Sequence, residues 1–396
     1  MASDHGELPA GPGRLKILIC LLYYVPHRTG LTIHVQLVAE ELVRRGHEVT
    51  VLTARYDDDL PRDDTAVHHG VRIVRLWAPI RLSRGMLMPA YPWAAFKLMR
   101  SHDIVSVHTP LFETALLGGL SWLTGTPIVA THHGDLVLPK GLLNRFIQGT
   151  MFAMFRMMAR RAKRLIAYSR DYAEHSYYLR PFLDKVVPIY PPIHMPLPNP
   201  ERVAQLRAQW SMDGGPVIGY AGRFVEEKRP DLALRALETV NQRHPSARLV
   251  FAGEYLIPYE DTWERQQHLV QRYRDQLVFL GLLREPQEMA DFFAACDVLV
   301  LPSDTECFAL VQVEAMLSGT PVVMTDIPGG RVPVTETGMG LLARQGDPVS
   351  IGEALAEVLD DPGRFHRSRE AIQRVFAFDQ TVDGYERLFQ EHATRR

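Results

Sequence analysis

The 396-residue sequence predicts an α/β protein made of two doubly wound domains. Three observations predict it. Short apolar runs alternate with amphipathic stretches along most of the chain, the pattern of βα units on a mostly parallel sheet. A stretch crowded with proline, Pro188 to Pro200, interrupts the alternation and can be neither a helix nor a central strand. Beyond it the alternation restarts. The length allows two or three domains at about 100–200 residues each, and 46% hydrophobic residues suffice for two cores.

Each element has its own signal. Lys16 to Tyr24 is a continuous apolar run and reads as a buried strand. From His34 to Arg45, Val35, Val38, Ala39 and Leu42 recur at helical spacing, and Gly46 ends the helix. Strands follow at His47–Thr53, Val71–Leu76, Ile104–His108, Pro127–Thr131, Leu165–Ser169 and Lys185–Ile189. After the prolines, strands are expected at Pro216–Ala221, Arg248–Ala252, Leu277–Leu280, Val298–Leu301 and Pro321–Thr325. Helices are expected at Pro230–Val240, Trp263–Arg274, Pro286–Ala294, Phe308–Ser318, Pro348–Leu359 and Thr381–Glu391. The expected division is a flexible tail at 1–13, a first domain at 14–192, a linker at 193–215, a second domain at 216–375 and a final helix at 376–396. Ligands of such sheets bind at the carboxyl ends of the strands, so the expected site is a cleft shared by the two domains.

Composition narrows the partners. A formal net charge of -2 argues against a dedicated nucleic-acid binder. Cys20, Cys296 and Cys307 are widely spaced and form no CxxC pair, which suits a reducing cytosol and a cytoplasmic location. The polar N-terminal segment lacks the pattern of a signal peptide, and no run approaches ~20 apolar residues. Phe146 to Met158 carries Ile147, Met151, Met154, Phe155 and Met158 on one stripe, followed by Arg160, Arg161, Lys163 and Arg164. It reads as a core helix with a basic end, or as a peripheral contact with the inner face of a membrane.

Four segments carry chemistry. Leu301 to Arg331 places Glu306 before a helix and Glu314 eight positions on, roughly 12 Å along a helix axis. The free N–H groups at that helix start favour a phosphate between two carboxylates. Val217 to Pro230 puts Arg223 and Lys228 on the loop after a strand, a fork and a point charge suited to a diphosphate without a metal. Pro127 to Pro139 brings His132, His133 and Asp135 to a strand end. Adjacent side chains point apart, which disfavours a metal there. Pro26 to Thr32 holds Thr29 and a single Gly30, also readable as a plain turn, and lacks the GxGxxG of nicotinamide binders.

The Glu-x7-Glu spacing, EAMLSGTPVV and DIPGG resemble the retaining glycosyltransferase family 4, and the resemblance runs from Lys16 to Phe389. It implies the GT-B fold: two Rossmann-like domains facing a central cleft, with a C-terminal helix crossing back to the first. It implies transfer of a sugar from a nucleoside diphosphate sugar to a hydroxyl acceptor, a lipid-linked glycan, polysaccharide or small metabolite, with no cofactor and no obligatory metal. Glu306 and His133 are implied at the reacting sugar, Glu314 at the ribose, and Arg223 and Lys228 at the diphosphate. Phe308, Ala309 and Leu310 are implied to offer main chain to the donor, and Gly30 to approach its phosphate. By analogy of fold, Glu254 and Leu283 border the base. Thr29, His132 and Asp135 are expected on the acceptor side. The family often has Gly where this chain has Cys307 and Ala309, and Cys307 adds bulk beside the donor. The rival readings are a sugar-nucleotide epimerase of the same fold and a non-catalytic sugar-nucleotide-binding subunit.

Overall fold

The structure is a computed structural model that describes residues 13–60, 66–82, 85–136, 141–211, 213–257 and 260–395. The expected tail at 1–13 lies outside these residues except for Gly13, as do residues 137–139 of the His133 segment. The chain divides into two units: Met1–Pro192 with Asp379–Arg396, and Ile193–Phe378.

The first unit is built on β1 (Lys16–Cys20), β2 (Glu48–Arg55), β3 (Ala66–His68), β4 (Val71–Trp77), β5 (Ile80–Leu82), β6 (Gly85–Leu87), β7 (Ile104–Thr109), β8 (Ile128–His132), β9 (Arg164–Ala167) and β10 (Val186–Pro188). Eight of these form one sheet in the order β10-β9-β8-β7-β1-β2-β4-β3. Every pairing in it is parallel except that of the edge strand β3 with β4. β1, β7 and β8 are buried along almost their whole length, as strands covered on both faces must be. β5 and β6 make a separate antiparallel ribbon.

The second unit carries β11 (Val217–Ala221), β12 (Arg248–Ala252), β13 (Leu277–Gly281), β14 (Val298–Leu301), β15 (Val322–Thr325) and β16 (Gly340–Ala343). Their order is β13-β12-β11-β14-β15-β16, all parallel. Read by chain position this is 3-2-1-4-5-6, the order in which connections turn opposite ways on either side of the first strand. The crevice therefore opens between β11 and β14. In the first unit the same reversal falls between β1 and β7.

The last helix, Phe378–His392, belongs to the first unit. Thr381, Val382, Tyr385, Leu388 and Phe389 form its buried stripe. Its polar side is tied by Arg45 to Asp383 at 2.6 Å and to Glu386 at 2.7 Å.

Three expectations are corrected. The segment 193–215, expected as a linker, contains the helix Pro200–Trp210, capped by Asn199 and burying Leu206 and Trp210. The proline run hid it, although Pro200 stands where a helix accepts proline, in its first turn. The helix expected at Trp263–Arg274 is broken into Thr262–Arg265, Gln267–Arg272 and a 3-10 turn at Arg274–Gln276. The helix expected from Phe308 begins at Leu310, because Ala309 has φ 57 and ψ 76 and a right-handed helix cannot run through it. The strand β16 and the helix Val332–Thr337 were not anticipated, and glycines at 338 and 340 obscure their pattern.

Gly253 closes the edge where β11, β12 and β13 end. Its φ is 146, and a Cβ there would lie 2.1 Å from the Gly222 carbonyl oxygen. Gly253→Ala is expected to lower unfolding free energy by about 2 kcal/mol or more, as read by chemical denaturation. A change within about 0.5 kcal/mol would show that this edge yields easily.

Candidate functional site

In the second unit the strand order brings two loops together. The loop after β11 runs from Gly222 through a 3-10 turn, Glu226–Lys228, to the helix Pro230–Val240. The loop after β14 holds Ser303 to Ala309 and leads into the helix Leu310–Leu317. The two meet through Lys228, whose Nζ donates to Glu306 Oε1 at 2.5 Å. Ser303 Oγ donates to the same oxygen at 3.0 Å. The Asp304 amide donates to the Glu227 carbonyl at 2.9 Å. Arg229, at φ 48, grips Asp231 at 2.9 Å and Asp304 at 3.2 Å. Burial pulls the Lys228 ammonium down, but the charge and hydrogen bond of Glu306 outweigh it, so the group stays protonated above the ordinary lysine value.

Glu306 is extended, not helical, and bridges to Gly329 of the DIPGG segment. Gly329 has φ 78, and a Cβ there would lie 2.6 Å from the Cys307 carbonyl oxygen. The close approach needs glycine. The figure of roughly 12 Å between Glu306 and Glu314 assumed helical rise throughout; it does not hold, because 306–309 is not helical. Glu314 is half-buried in the second turn of Leu310–Leu317. Its carboxyl is pushed up to about 7 by burial. Burial likewise raises the Cys307 thiol to about 12, with the Glu306 charge adding to it, so Cys307 is no thiolate. Ala309 holds a left-handed φ that costs a non-glycine residue on the order of 1 kcal/mol, which is the physical reason glycine suits that position.

Other expected donor residues fall at the same edge with unequal access. Arg223 is partly exposed and lies 3.6 Å from Glu227. The Glu254 carbonyl accepts from the Phe224 amide at 2.8 Å, while its side chain is exposed. Leu283 follows the end of β13. The Phe308 ring is fully buried against Phe376, leaving only its main chain for a ligand.

In the first unit the site around β1, β7 and β8 is a hydrogen-bonded set of histidines and tyrosines. Ser106 Oγ meets His108 Nε2 at 3.1 Å, and His108 Nδ1 meets His133 Nε2 at 2.8 Å. His133 Nδ1 meets the Tyr168 hydroxyl at 2.5 Å, which meets His34 Nδ1 at 3.3 Å. His34 Nε2 meets the Tyr385 hydroxyl at 2.9 Å, and that hydroxyl meets Thr131 Oγ1 at 3.0 Å. Tyr385 comes from the last helix. Burial holds His108 down at about 3 and pushes His34 and His133 well below the ordinary imidazole value, reinforced by their neighbours' charge. All three are neutral at pH 7, and of the three only His133 is partly exposed.

Two expectations change here. His132 is 1% exposed, bonded to Thr109 at 2.7 Å and to Asp135 at 2.9 Å, and ringed by Phe155, Tyr172 and Tyr178. It is a core residue, closed to an acceptor. Asp135 is spent in the same way: it accepts from Ser176 Oγ at 2.8 Å and from the Tyr177 amide at 2.7 Å, and those bonds with His132 hold its carboxyl below the usual range despite burial. His132 and His133 feed separate networks, so the His132, His133 and Asp135 side chains do not converge on an ion. Thr29 caps the helix Gly30–Arg44 in a reciprocal pair with Thr32, and Gly30 is its first residue.

Sequence reading missed His34, His108, Tyr168 and Tyr385 as site residues, and also the Arg229–Asp304 tie. The signal for two of them was present. His34 shares the buried face of its helix with Val35 and Val38, and His108 stands in a strand that is buried throughout.

A neutral imidazole donates from one nitrogen and accepts at the other. His108 Nδ1 and His133 Nε2 share one proton, so the two rings must carry the same tautomer, both Nδ1–H or both Nε2–H. Nitrogen-15 NMR of the labelled protein is expected to show matched tautomers, with both rings still neutral where an ordinary imidazole is protonated. Opposite tautomers, or protonation near the ordinary imidazole value, would refute the arrangement.

Comparison with known proteins bears on both units. A sequence profile described as glycosyl transferases group 1 matches residues 204–375, and one described as glycosyltransferase family 4 matches residues 28–195. The chain is 27% identical to the GDP-mannose-dependent alpha-mannosyltransferase of Mycobacterium tuberculosis, over 89% of this chain and 90% of that one. It is 27% identical to the D-inositol 3-phosphate glycosyltransferase of Streptomyces avermitilis, over 85% of this chain and 72% of that one. Anabaena HepE, solved in complex with UDP-glucose, superposes with a TM-score of 0.72 at 19% identity, covering 96% of this chain and 99% of that one.

Proposed function

The chain belongs to the family 4, group 1 glycosyltransferases, and on that premise we propose that it transfers a hexose, with retention of configuration, from a nucleoside diphosphate sugar to a hydroxyl acceptor. The observation that carries this reading is the contact of Lys228 with Glu306 at the crevice between β11 and β14.

The leaving group is a nucleoside diphosphate, and its charge grows as the bond to the sugar breaks. Lys228 and Arg223 stabilise that charge, and the amides at the start of Leu310–Leu317 add partial positive charge. Glu306 turns from Lys228 to the hydroxyls of the sugar. Glu314 accepts from the ribose hydroxyls. The end of β12 at Gly253 and Glu254, and Leu283 beyond β13, border the base with their main chain. The acceptor is taken by the first unit, where the partly exposed His133, held neutral, faces the reacting sugar. The leaving phosphate takes the acceptor's proton, and with Lys228 and Arg223 meeting the diphosphate's charge the reading needs no obligatory metal. The donors named for HepE and for the mannosyltransferase, UDP-glucose and GDP-mannose, are the first to try. Acceptors of the lipid-linked, polysaccharide and small-metabolite classes all suit the reaction.

No helix among the described residues is long and apolar enough to cross a membrane. We place the enzyme in the cytoplasm, peripherally on the inner face of the membrane. On the helix Leu142–Arg161, Phe152, Phe155 and Met158 are buried, while Leu142 is 85% and Phe146 72% exposed. Those two and the neighbouring Arg145 suit an interfacial contact.

Release of free nucleoside diphosphate only in the presence of acceptor separates transfer from epimerisation. In that assay Glu306→Ala and Lys228→Ala are each expected to lower turnover by about 100-fold or more, with the variants still folded by circular dichroism at the assay temperature. Near-normal turnover in both would overturn the assignment.

Glu314 supplies a pH test. Its carboxyl, raised to about 7 by burial, must be ionised to accept two hydroxyls. Donor binding favours the charged form, so affinity should fall as pH drops below about 7, by at most about tenfold per unit for one proton. Glu314→Gln should flatten that profile. A wild-type affinity flat from about pH 5.5 to 8 would contradict the role.

A further inference from the structure

Glu40, His68 and His69 form a cluster that sugar transfer does not use. Glu40 lies on the helix Gly30–Arg44. His68 ends β3, and His69 with Gly70 makes the two-residue turn into β4. Their φ values are 47 and 82, as a tight hairpin turn with both central residues left-handed requires. Asparagine is the residue such a turn favours at its first position; this chain puts a second imidazole there. A Cβ on Gly70 would lie 2.6 Å from Val43 Cγ1, so the turn is seated against the helix that carries Glu40.

The donors converge. The His68 and His69 rings stack with centroids 4.3 Å apart. His69 Nδ1 is 3.0 Å from Glu40 Oε2, and His68 Nε2 is 3.6 Å from Glu40 Oε1. One donor atom from each of the three residues lies within 4.8 Å of the others. Gln36, one turn back on the helix, donates to Glu40 Oε1 at 2.7 Å and orients the carboxylate. Bonds of about 2.0–2.1 Å in a tetrahedral set put ligand atoms roughly 3.3 Å apart; the two histidine–carboxylate distances, 3.0 and 3.6 Å, bracket that value, and the near-parallel rings must rotate for both nitrogens to face one ion.

We propose that Glu40, His68 and His69 bind a zinc-class divalent cation, with water in the fourth position. Two imidazole nitrogens and one carboxylate suit zinc and not calcium or magnesium, which take oxygen sets. His69 is exposed and the other two partly so, which leaves water a path to the open position. The ion fastens the edge hairpin β3–β4 to the helix that bears His34. It plays no part in sugar transfer, and the inference stands apart from that reading.

The test uses the untagged full chain, stripped with a chelator and dialysed, then titrated with zinc alone by calorimetry. One ion per chain is expected, with a melting temperature that rises with zinc concentration. His69→Asn keeps a residue the turn prefers and removes a ligand. It should fold as well as the parent yet bind zinc more weakly by at least the ~10–100-fold that loss of an outer partner costs. Glu40→Gln should weaken it likewise. No saturable binding, or unchanged affinity in both variants, would overturn the proposal and leave the cluster a plain histidine–carboxylate contact.

Discussion

The contact of Lys228 with Glu306 depends on strand order, and the rest of the second unit is arranged around it. Parallel strands that reverse direction of winding between β11 and β14 leave their carboxyl-end loops side by side. One loop brings cations, the other carboxylates. The charges answer one another: Lys228 is held by Glu306, Arg229 by Asp231 and Asp304, and Arg223 lies near Glu227. A hydrogen bond to a charged group contributes about 1.5–3 kcal/mol, so the pair both orders the loops and sets what a donor must displace. On the proposed reading, a diphosphate replaces Glu306 at Lys228 because it offers more charge to the same ammonium.

The first unit solves a different problem. Buried histidines are costly when charged, and burial keeps His34, His108 and His133 neutral. Neutral rings can form a continuous chain only if every nitrogen finds a partner, and Ser106, Tyr168, Tyr385 and Thr131 supply them. Tyr385 makes the last helix part of this site. The chain of hydrogen bonds thus joins Phe378–His392 to His133 through His34 and Tyr168.

Most of the architecture was legible in the sequence because its strands are continuous apolar runs and its helices strongly striped. The Pro230–Val240 helix matches its expected bounds, since Pro230 starts it and Leu and Ala mark one face. What failed was local. Ala309 carries no mark that it takes a glycine-like φ, so the helix start was placed too early. Proline-rich context disguised Pro200–Trp210 as linker. At the site, charge and spacing pointed to Lys228 and Glu306, which do meet. Residue type alone could not separate His132 from His133. One ends β8 in an aromatic core, and the other, just past the strand, stands at the partly exposed point of a network. His34 and His108 were masked by apolar neighbours, because a histidine on a buried face looks like a tolerated core residue until its partners are in view.

The measurement that bears most directly on the central claim is calorimetric titration of UDP and GDP, without sugar, into the parent, Glu306→Gln and Lys228→Met. If Glu306 and the diphosphate compete for Lys228, Glu306→Gln keeps or gains nucleotide affinity while Lys228→Met loses about tenfold or more, 1.4 kcal/mol. Equal losses in both variants, or no loss in Lys228→Met, would contradict the account.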